Sequence, residues 1–212
     1  MEPFNSKRDI ADIGYKRIFE ERYLKNKTNR GKLMLTQTAL DLDGVIFDYE
    51  KTFQKEAVKL GFEVSIKHPE IYNMAERYEI TPETVSLINS KIDFSDMEVF
   101  DEVISLKHYI KDIKCFITSS PKEALHLRKI NISKVFGKDI PVYHADTKEK
   151  HRIISELGIK YFIDDYNTVI HHIELNCPEC NAYWLNRGYG DFNLPEPENK
   201  INSLTEFFNG KF

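Results

Sequence analysis

The sequence predicts an α/β protein whose parallel sheet is covered by helices on both faces, with a small helical cap inserted after the first strand. Three observations carry this expectation. Strand-like apolar runs alternate with helical patterns through most of the chain, the order that the crossovers of a parallel sheet produce. One interval, 50–106, breaks the alternation and holds only helix-like segments. Three of the strand-like runs end in acids or hydroxyls, which gathers polar chemistry at the sheet edge where open α/β proteins bind ligands.

The elements follow in chain order. Residues 1–32 read as a basic N-terminal helical extension with nine Lys or Arg against five Asp or Glu. Over 8–26, Ile10, Ile13, Ile18 and Phe19 recur among charges as on one face of an amphipathic helix, and the polar stretch 25–32 reads as a loop. The strand-like runs are 33–42, 115–118, 141–144, 161–163 and 182–185, and the helical patterns among and after them are 122–129, 148–157, 167–175 and 201–208. Within 50–106, His68-Pro69 and Thr81-Pro82 punctuate the helices, since threonine can cap a helix and proline can open one. The expected division is a core of 33–49 and 107–212 with a cap of 50–106.

Composition narrows the class. A chain of 212 residues, 41% hydrophobic and 12% aromatic, can bury one sizeable core. No apolar run approaches the roughly 20 residues that span a bilayer, and the N-terminus lacks the apolar segment of a secretory signal, so a cytoplasmic protein with no membrane partner is expected. The net charge of −4 gives no reason to expect bulk nucleic acid as a partner. A run such as the basic extension is usually a solvated helix face, with a nucleic-acid or membrane contact as the alternative. Three cysteines fit a reducing compartment better than a disulfide framework. Cys115 lies in an apolar run and is expected in the core. Cys177 and Cys180, with His171 and His172 upstream, match no common zinc-ligand spacing and are read as structural.

The chemistry starts at Asp41-Leu42-Asp43-Gly44, which closes the first strand-like run. Residues i and i+2 of an extended chain face the same side, so Asp41 and Asp43 pair there, and the glycine allows a sharp turn. Such a pair suits a divalent cation and attack on phosphate. The calcium-loop alternative lacks its bidentate glutamate, because the twelfth position counted from Asp41 is Thr52. In Cys115-Phe116-Ile117-Thr118-Ser119-Ser120-Pro121 a strand passes into a helix, with Ser120 expected as N-cap, Pro121 as first helical residue and Glu123 completing a capping box. Thr118 and Ser119 would then point at a ligand above the strand end, as a phosphate requires. Asp146 or Thr147 is expected to open the next helix and Gly158 to close it. Lys150 shares a face with Ile154 and Leu157 and should look inward, whereas Lys148 aligns with Arg152 and Ser155 and should look outward. Finally, Asp164 and Asp165 end the run 161–163, and two adjacent acids at a buried strand end call for a cation or donors nearby.

This set, in this order, resembles the haloacid dehalogenase (HAD) superfamily of phosphotransferases over most of the chain from about residue 35. DLDGV matches its first motif, FITSS its second, Lys150 its third and FIDD its fourth. DLDGVIFDYE, the TSSP turn and the helical insertion after the first motif look most like the 5'(3')-deoxyribonucleotidases. The resemblance implies a Rossmann-like core. It implies that Asp41 is the nucleophile that forms an aspartyl-phosphate and that Asp43 is the general acid and then base. Mg²⁺ would be held by Asp41, the Asp43 carbonyl and Asp165, with Asp164 supporting, and Thr118 and Lys150 would hold the phosphoryl oxygens. An acid at Asp43 disfavours dehalogenation, whose leaving group needs no proton. Tyr49, which follows the first motif, matches an aromatic in the nucleotidases and is the residue expected to stack on a base.

The expected activity is Mg²⁺-dependent hydrolysis of a small phosphomonoester, with a nucleoside monophosphate as first choice. Removal of phosphate from nucleic-acid ends is the alternative that the basic extension raises. A phosphate-binding protein without turnover is the alternative from outside the enzymes.

Overall fold

The computed structural model describes residue 31 and residues 33–211, so the amphipathic helix expected over 8–26 lies outside the described residues. Among the described residues, six strands form one sheet in the order β3-β2-β1-β4-β5-β6, and every neighbouring pair is parallel. They are β1 (Thr38–Leu40), β2 (Cys115–Thr118), β3 (Val142–His144), β4 (Tyr161–Asp164), β5 (Asn181–Leu185) and β6 (Lys200–Ile201). The helices are α1 (Tyr49–Lys59), α2 (Met74–Tyr78), α3 (Pro82–Asn89), α4 (Asp101–Ile110), α5 (Leu125–Phe136), α6 (Lys150–Leu157), α7 (Asn167–Asn176) and α8 (Leu204–Lys211). No helix among them is long and apolar enough to cross a membrane.

The side-chain period of two explains why this sheet is buried on both faces. Leu40, Phe116, Ile163, Tyr183 and Leu185 point into one apolar cluster with residues of α1, α4 and α8. Their immediate neighbours Ala39, Cys115, Ile117, Phe162, Ala182 and Trp184 point into the other, with Ile154 of α6 and Val169, Ile170 and Ile173 of α7. Cys177 and Cys180 belong to this second cluster, where burial pushes both thiols up, Cys180 to about 12.

The chain lays β1, β2 and β3 in one direction and then returns to place β4 on the other side of β1. The reversal opens a crevice beyond the C-terminal ends of β1 and β4, the position at which such sheets take ligands. The Asp41 amide donates to Ile163 O at 2.9 Å, so Asp41 continues the ladder at the mouth of that crevice.

The insertion is stitched at its neck, where the chain just before α1 meets the chain after α3. Asp48 N donates to Glu98 O at 3.0 Å, Phe100 N donates to Ile46 O at 3.1 Å, and Phe47 bridges Val99 in antiparallel fashion. Asp48 caps α1 by accepting from Lys51 N, Asn73 caps α2, and Thr81 caps α3 with Pro82 in its first turn. The boundary expected between 106 and 107 falls inside α4, whose buried Val103, Leu106 and Ile110 pack toward α8.

Some expected boundaries need correction. The first strand begins at Thr38 rather than 33, because residues 33–35 make a helical turn that Thr36 and Thr38 close by donating to Leu33 O and Met34 O. Ser120 is not an N-cap: a 3-10 turn at Lys122–Ala124 precedes α5 without a side-chain cap, and the Ser120 hydroxyl bonds elsewhere. Neither Asp146 nor Thr147 opens α6, which starts at Lys150 after Glu149, although Gly158 does close it in the left-handed region at φ 61°. The sixth strand was unexpected, and the last helix begins at Leu204 because Ile201 pairs with Leu185 in the sheet instead.

Candidate active site

Four acids gather beyond β1 and β4. Asp41, Asp164 and Asp165 are buried, and one carboxylate oxygen from each lies within 4.8 Å of the others. Lys150, the first residue of α6, is 2% exposed and donates from Nζ to Asp41 Oδ1 and Asp164 Oδ2, each at 2.7 Å. Lys148 is exposed. The helical stripe that includes Ile154 carries Lys150 inward as its spacing requires.

Two of the acids differ in what they have left to offer. Asp164 commits both oxygens, one to Lys150 and the other to the Tyr166 amide at 3.0 Å. Asp165 accepts the Tyr189 hydroxyl on Oδ2 at 2.6 Å, while the Trp184 indole donates to its backbone carbonyl at 3.0 Å. Among the described residues its Oδ1 remains available.

Gly44 makes this packing feasible. Its φ of 74° lies where side chains are strained, and a Cβ would strike the Asp165 carboxylate and the Tyr189 hydroxyl. The glycine of the first motif is thus also the floor against which Asp165 rests.

The electrostatics are those of a site short of positive charge. Burial, together with the Asp164 and Asp43 carboxylates, pushes Asp41 up to about 7 against the pull of Lys150. Burial and the Asp164 and Asp41 charges likewise hold Asp165 well above the ordinary carboxylate range. Burial alone works against the Lys150 charge, but Asp164 and Asp41 outweigh it and raise its pKa. Three buried carboxylates facing one ammonium form an all-oxygen donor set that fits a hard divalent cation such as Mg²⁺.

These shifts imply a pH dependence of stability with a definite sign. A carboxyl whose pKa is raised by folding stabilises the native state fully below its unfolded pKa and loses that contribution as pH climbs through its folded pKa. For Asp41 the window runs from its ordinary 3.8 to about 7, and Asp165 extends the loss upward. Thermal melts in EDTA should therefore show this contribution to stability fading between pH 5 and pH 8. A flat profile over that interval would contradict the assigned environment.

Asp43, half-buried beside this cluster, is held from behind. Arg128 on α5 is completely buried and donates from Nη2 to both Asp43 oxygens at 2.5 Å. Ser120 Oγ donates to Asp43 Oδ2 at 2.9 Å and accepts from Arg128 Nε at 3.0 Å. Thr118 sits just below: its Oγ1 lies 2.9 Å from Ser120 Oγ and accepts from the Ser120 amide at 3.1 Å. Thr118 is fully buried and does not line the cavity above the acids, whereas the exposed Ser119 and the buried Ser120 do.

That cavity measures 780 Å³. Its floor is Asp41, Asp43, Lys150, Asp164 and Asp165, and its walls include Tyr49, Tyr72, Arg77, Tyr166 and Tyr189. Tyr49, expected to stack on a base, lines it with its hydroxyl 2.5 Å from Asn89 Oδ1. Tyr72 stacks on Tyr166 at 3.8 Å between ring centres. Arg77 lies over the Tyr189 ring and binds both Glu50 oxygens, at 2.5 and 3.0 Å, so helical insertion and core meet at the cavity wall.

The strand order and the acid-bearing strand ends place the architecture. Over 84% of the chain it superposes on 99% of a haloacid dehalogenase-like hydrolase from Streptococcus pneumoniae, with a TM-score of 0.54 at 11% identity. This is the HAD-like fold. A HAD-hydrolase from Bacillus subtilis, YfnB, determined bound to magnesium, aligns with a TM-score of 0.54 at 14% identity over 81% of this chain and 96% of its own. A HAD-superfamily hydrolase of subfamily IA from Geobacter sulfurreducens aligns with a TM-score of 0.50 at 13% identity, covering 84% and 97%. No family model and no curated protein matches the chain by sequence.

On this HAD-like fold the expected residues Asp41, Asp43, Lys150, Asp164 and Asp165 come together, with Ser119 and Tyr49 on the cavity wall and Thr118 beneath it. Arg128 and Tyr189 were not anticipated. For Arg128 a signal existed: Ala124, Arg128 and Ile132 share one face at i, i+4 spacing, and an arginine in an apolar stripe asks for a buried partner. Tyr189 lies in a loop with no pattern to mark it.

Proposed function

We propose that this chain is a Mg²⁺-dependent phosphomonoester hydrolase that turns over through an aspartyl-phosphate on Asp41. The observation that supports it most strongly is the buried Asp41 carboxylate at the cavity floor, paired with Lys150 and facing the Asp164 and Asp165 carboxylates. The HAD-like fold adds support, because it carries these residues to the strand ends.

Asp41 and Asp165, with the Asp43 carbonyl, would hold Mg²⁺, and Asp164 would brace Lys150 beside them. When bound, the cation supplies charge that offsets repulsion between a phosphate dianion and a carboxylate nucleophile. In the first half-reaction an Asp41 oxygen attacks phosphorus, the bond to the leaving oxygen breaks, and Asp43 gives that oxygen its proton. In the second, water attacks the same phosphorus and passes a proton to the Asp43 carboxylate. The bond to Asp41 breaks with its electron pair returning to the carboxylate, and inorganic phosphate leaves. Lys150 contributes a fixed positive charge throughout. Since the Thr118 hydroxyl is spent on Ser120, we assign the remaining side-chain contact with the phosphoryl oxygens to Ser119 at the rim.

For substrate we infer a small phosphomonoester, with a nucleoside monophosphate as first choice. A cavity of 780 Å³ suits a molecule of that size, and Tyr49 and the Tyr72–Tyr166 pair offer aromatic faces to a base. In this reading the helices of the insertion act as the cap that selects the leaving group. Purified protein should hydrolyse p-nitrophenyl phosphate with Mg²⁺ and lose that activity in EDTA. Across a panel of nucleotides, sugar phosphates and 5'-phosphorylated oligonucleotides, nucleoside monophosphates should give the highest kcat/KM. No Mg²⁺-dependent phosphate release from any member would refute the proposal, and preference for oligonucleotides would move the substrate to nucleic-acid ends.

A further inference from the structure

The completely buried guanidinium of Arg128 is costly for the fold, since taking a charge out of water carries a penalty that pairing only partly returns. Its surroundings are apolar apart from one direction. Phe94 lies 4.5 Å and Phe47 5.6 Å from its central carbon, and Nη1 points at Met97 Sδ. Among the described residues, the one charged group it touches is Asp43. Such an arrangement is explained if the carboxylate must be held in one place.

The hydrogen bonds fix more than place. Arginine donates only, so both Asp43 oxygens act as acceptors toward Arg128. The hydroxyl of Ser120 has one hydrogen, which goes to Asp43 Oδ2. Ser120 Oγ therefore accepts from Arg128 Nε and from the Thr118 hydroxyl, and Thr118 in turn accepts the Ser120 amide. The donors form a closed set that points at one oxygen. Oδ2 receives two donors and is anchored, whereas among the described residues Oδ1 receives Arg128 alone, and Asp43 lines the cavity.

We propose that Arg128 and Ser120, backed by Thr118, are positioning residues for Asp43, anchoring Oδ2 so that Oδ1 is the atom that exchanges the proton with leaving group and water. The inference rests on the reading of Asp41 as nucleophile and Asp43 as acid and base. It gives the second-motif hydroxyls a task that differs from direct contact with phosphate. It also gives a reason for an arginine within the apolar stripe of α5.

The test separates the two half-reactions. Full-length protein, Arg128→Met, Arg128→Lys and Ser120→Ala are mixed with p-nitrophenyl phosphate and Mg²⁺, quenched in acid, and assayed for p-nitrophenolate and for phosphate bound to protein. p-Nitrophenolate leaves without a proton, so formation of phosphoprotein should stay within about threefold of wild type, while its hydrolysis slows by roughly 10- to 100-fold, within the range ascribed to proton transfer. Phosphoprotein should then accumulate, alkyl phosphates should lose more rate than p-nitrophenyl phosphate, and Arg128→Lys should recover part of the loss. Ser120→Ala strands no charge, so it carries the same test if Arg128→Met does not fold. Equal slowing of both half-reactions, with aryl and alkyl substrates affected alike, would overturn the positioning role. If wild-type protein hydrolyses phosphomonoesters but never traps phosphate, the reading of Asp41 fails, and the inference falls with it for that separate reason.

Discussion

Asp41→Asn should abolish phosphomonoester hydrolysis and, at pH 8 without metal, raise the melting temperature of the same protein. The two effects have one origin. On the proposed mechanism Asp41 is the attacking group, and the neighbouring acids have other tasks: Asp164 is committed to Lys150 and the Tyr166 amide, Asp43 is bound by Arg128 and Ser120, and Asp165 is the proposed cation ligand. Removing a covalent nucleophile typically costs a factor of roughly 10⁴ to 10⁶ in kcat. The same carboxylate is one of three buried together, and its pKa is pushed up to about 7, which means that its charge is unwelcome in the folded protein. Asparagine keeps an oxygen for Lys150 and drops the charge. Above pH 7 the variant should therefore melt higher than wild type, and near pH 5, where the wild-type carboxyl holds its proton, the difference should shrink. Paired melts at the two pH values, with p-nitrophenyl phosphate turnover measured alongside, check both parts. A variant that melts lower at pH 8 would show that the Lys150 contact outweighs the carboxylate repulsion.

The opposition between site and stability also explains how much of this protein could be read from its sequence. Lys150 was legible as a charge within an inward helical stripe, Asp41 and Asp43 as a same-side pair at a strand end, and Asp164 and Asp165 as adjacent acids closing a buried strand. The same rule would have found Arg128, but the stripe that carries it begins in a 3-10 turn, and a capping-box reading of Ser120 and Glu123 claimed that stretch first. Thr118 was legible as a polar strand end, but not its direction, because whether a hydroxyl faces a ligand or a neighbouring hydroxyl depends on a partner, Ser120, that looked spoken for. Tyr189 reaches the Asp165 oxygen across 24 residues, and nothing local announces it. The parallel sheet followed from alternation, but the two-residue β6 gave no period to detect.

Asp43→Asn should behave as the mirror image of Asp41→Asn in stability although it lies two residues away. On the proposed mechanism it removes the proton donor and acceptor, for which a loss of roughly 10²- to 10⁴-fold in kcat is expected with alkyl phosphates. Here, however, the carboxylate is the one charge that Arg128 meets among the described residues, and Arg128 is fully buried. Breaking a buried pair from one side typically costs about 3–5 kcal/mol, since the surviving charge is left without a partner. Denaturant unfolding should show a loss of that order for Asp43→Asn, and the double variant Asp43→Asn, Arg128→Met should recover much of it while remaining inactive. If the single and double variants are equally unstable, Arg128 is held by its aromatic neighbours Phe94 and Phe47 rather than by Asp43, and the anchoring of Oδ2 loses its energetic basis. On the proposed mechanism the two aspartates are asked for different things: a nucleophile must be destabilised enough to react, whereas an acid and base must stay where leaving group and water will find it. One surplus of negative charge around Asp41 and one buried arginine behind Asp43 would be the physical means by which a single turn of chain meets both demands.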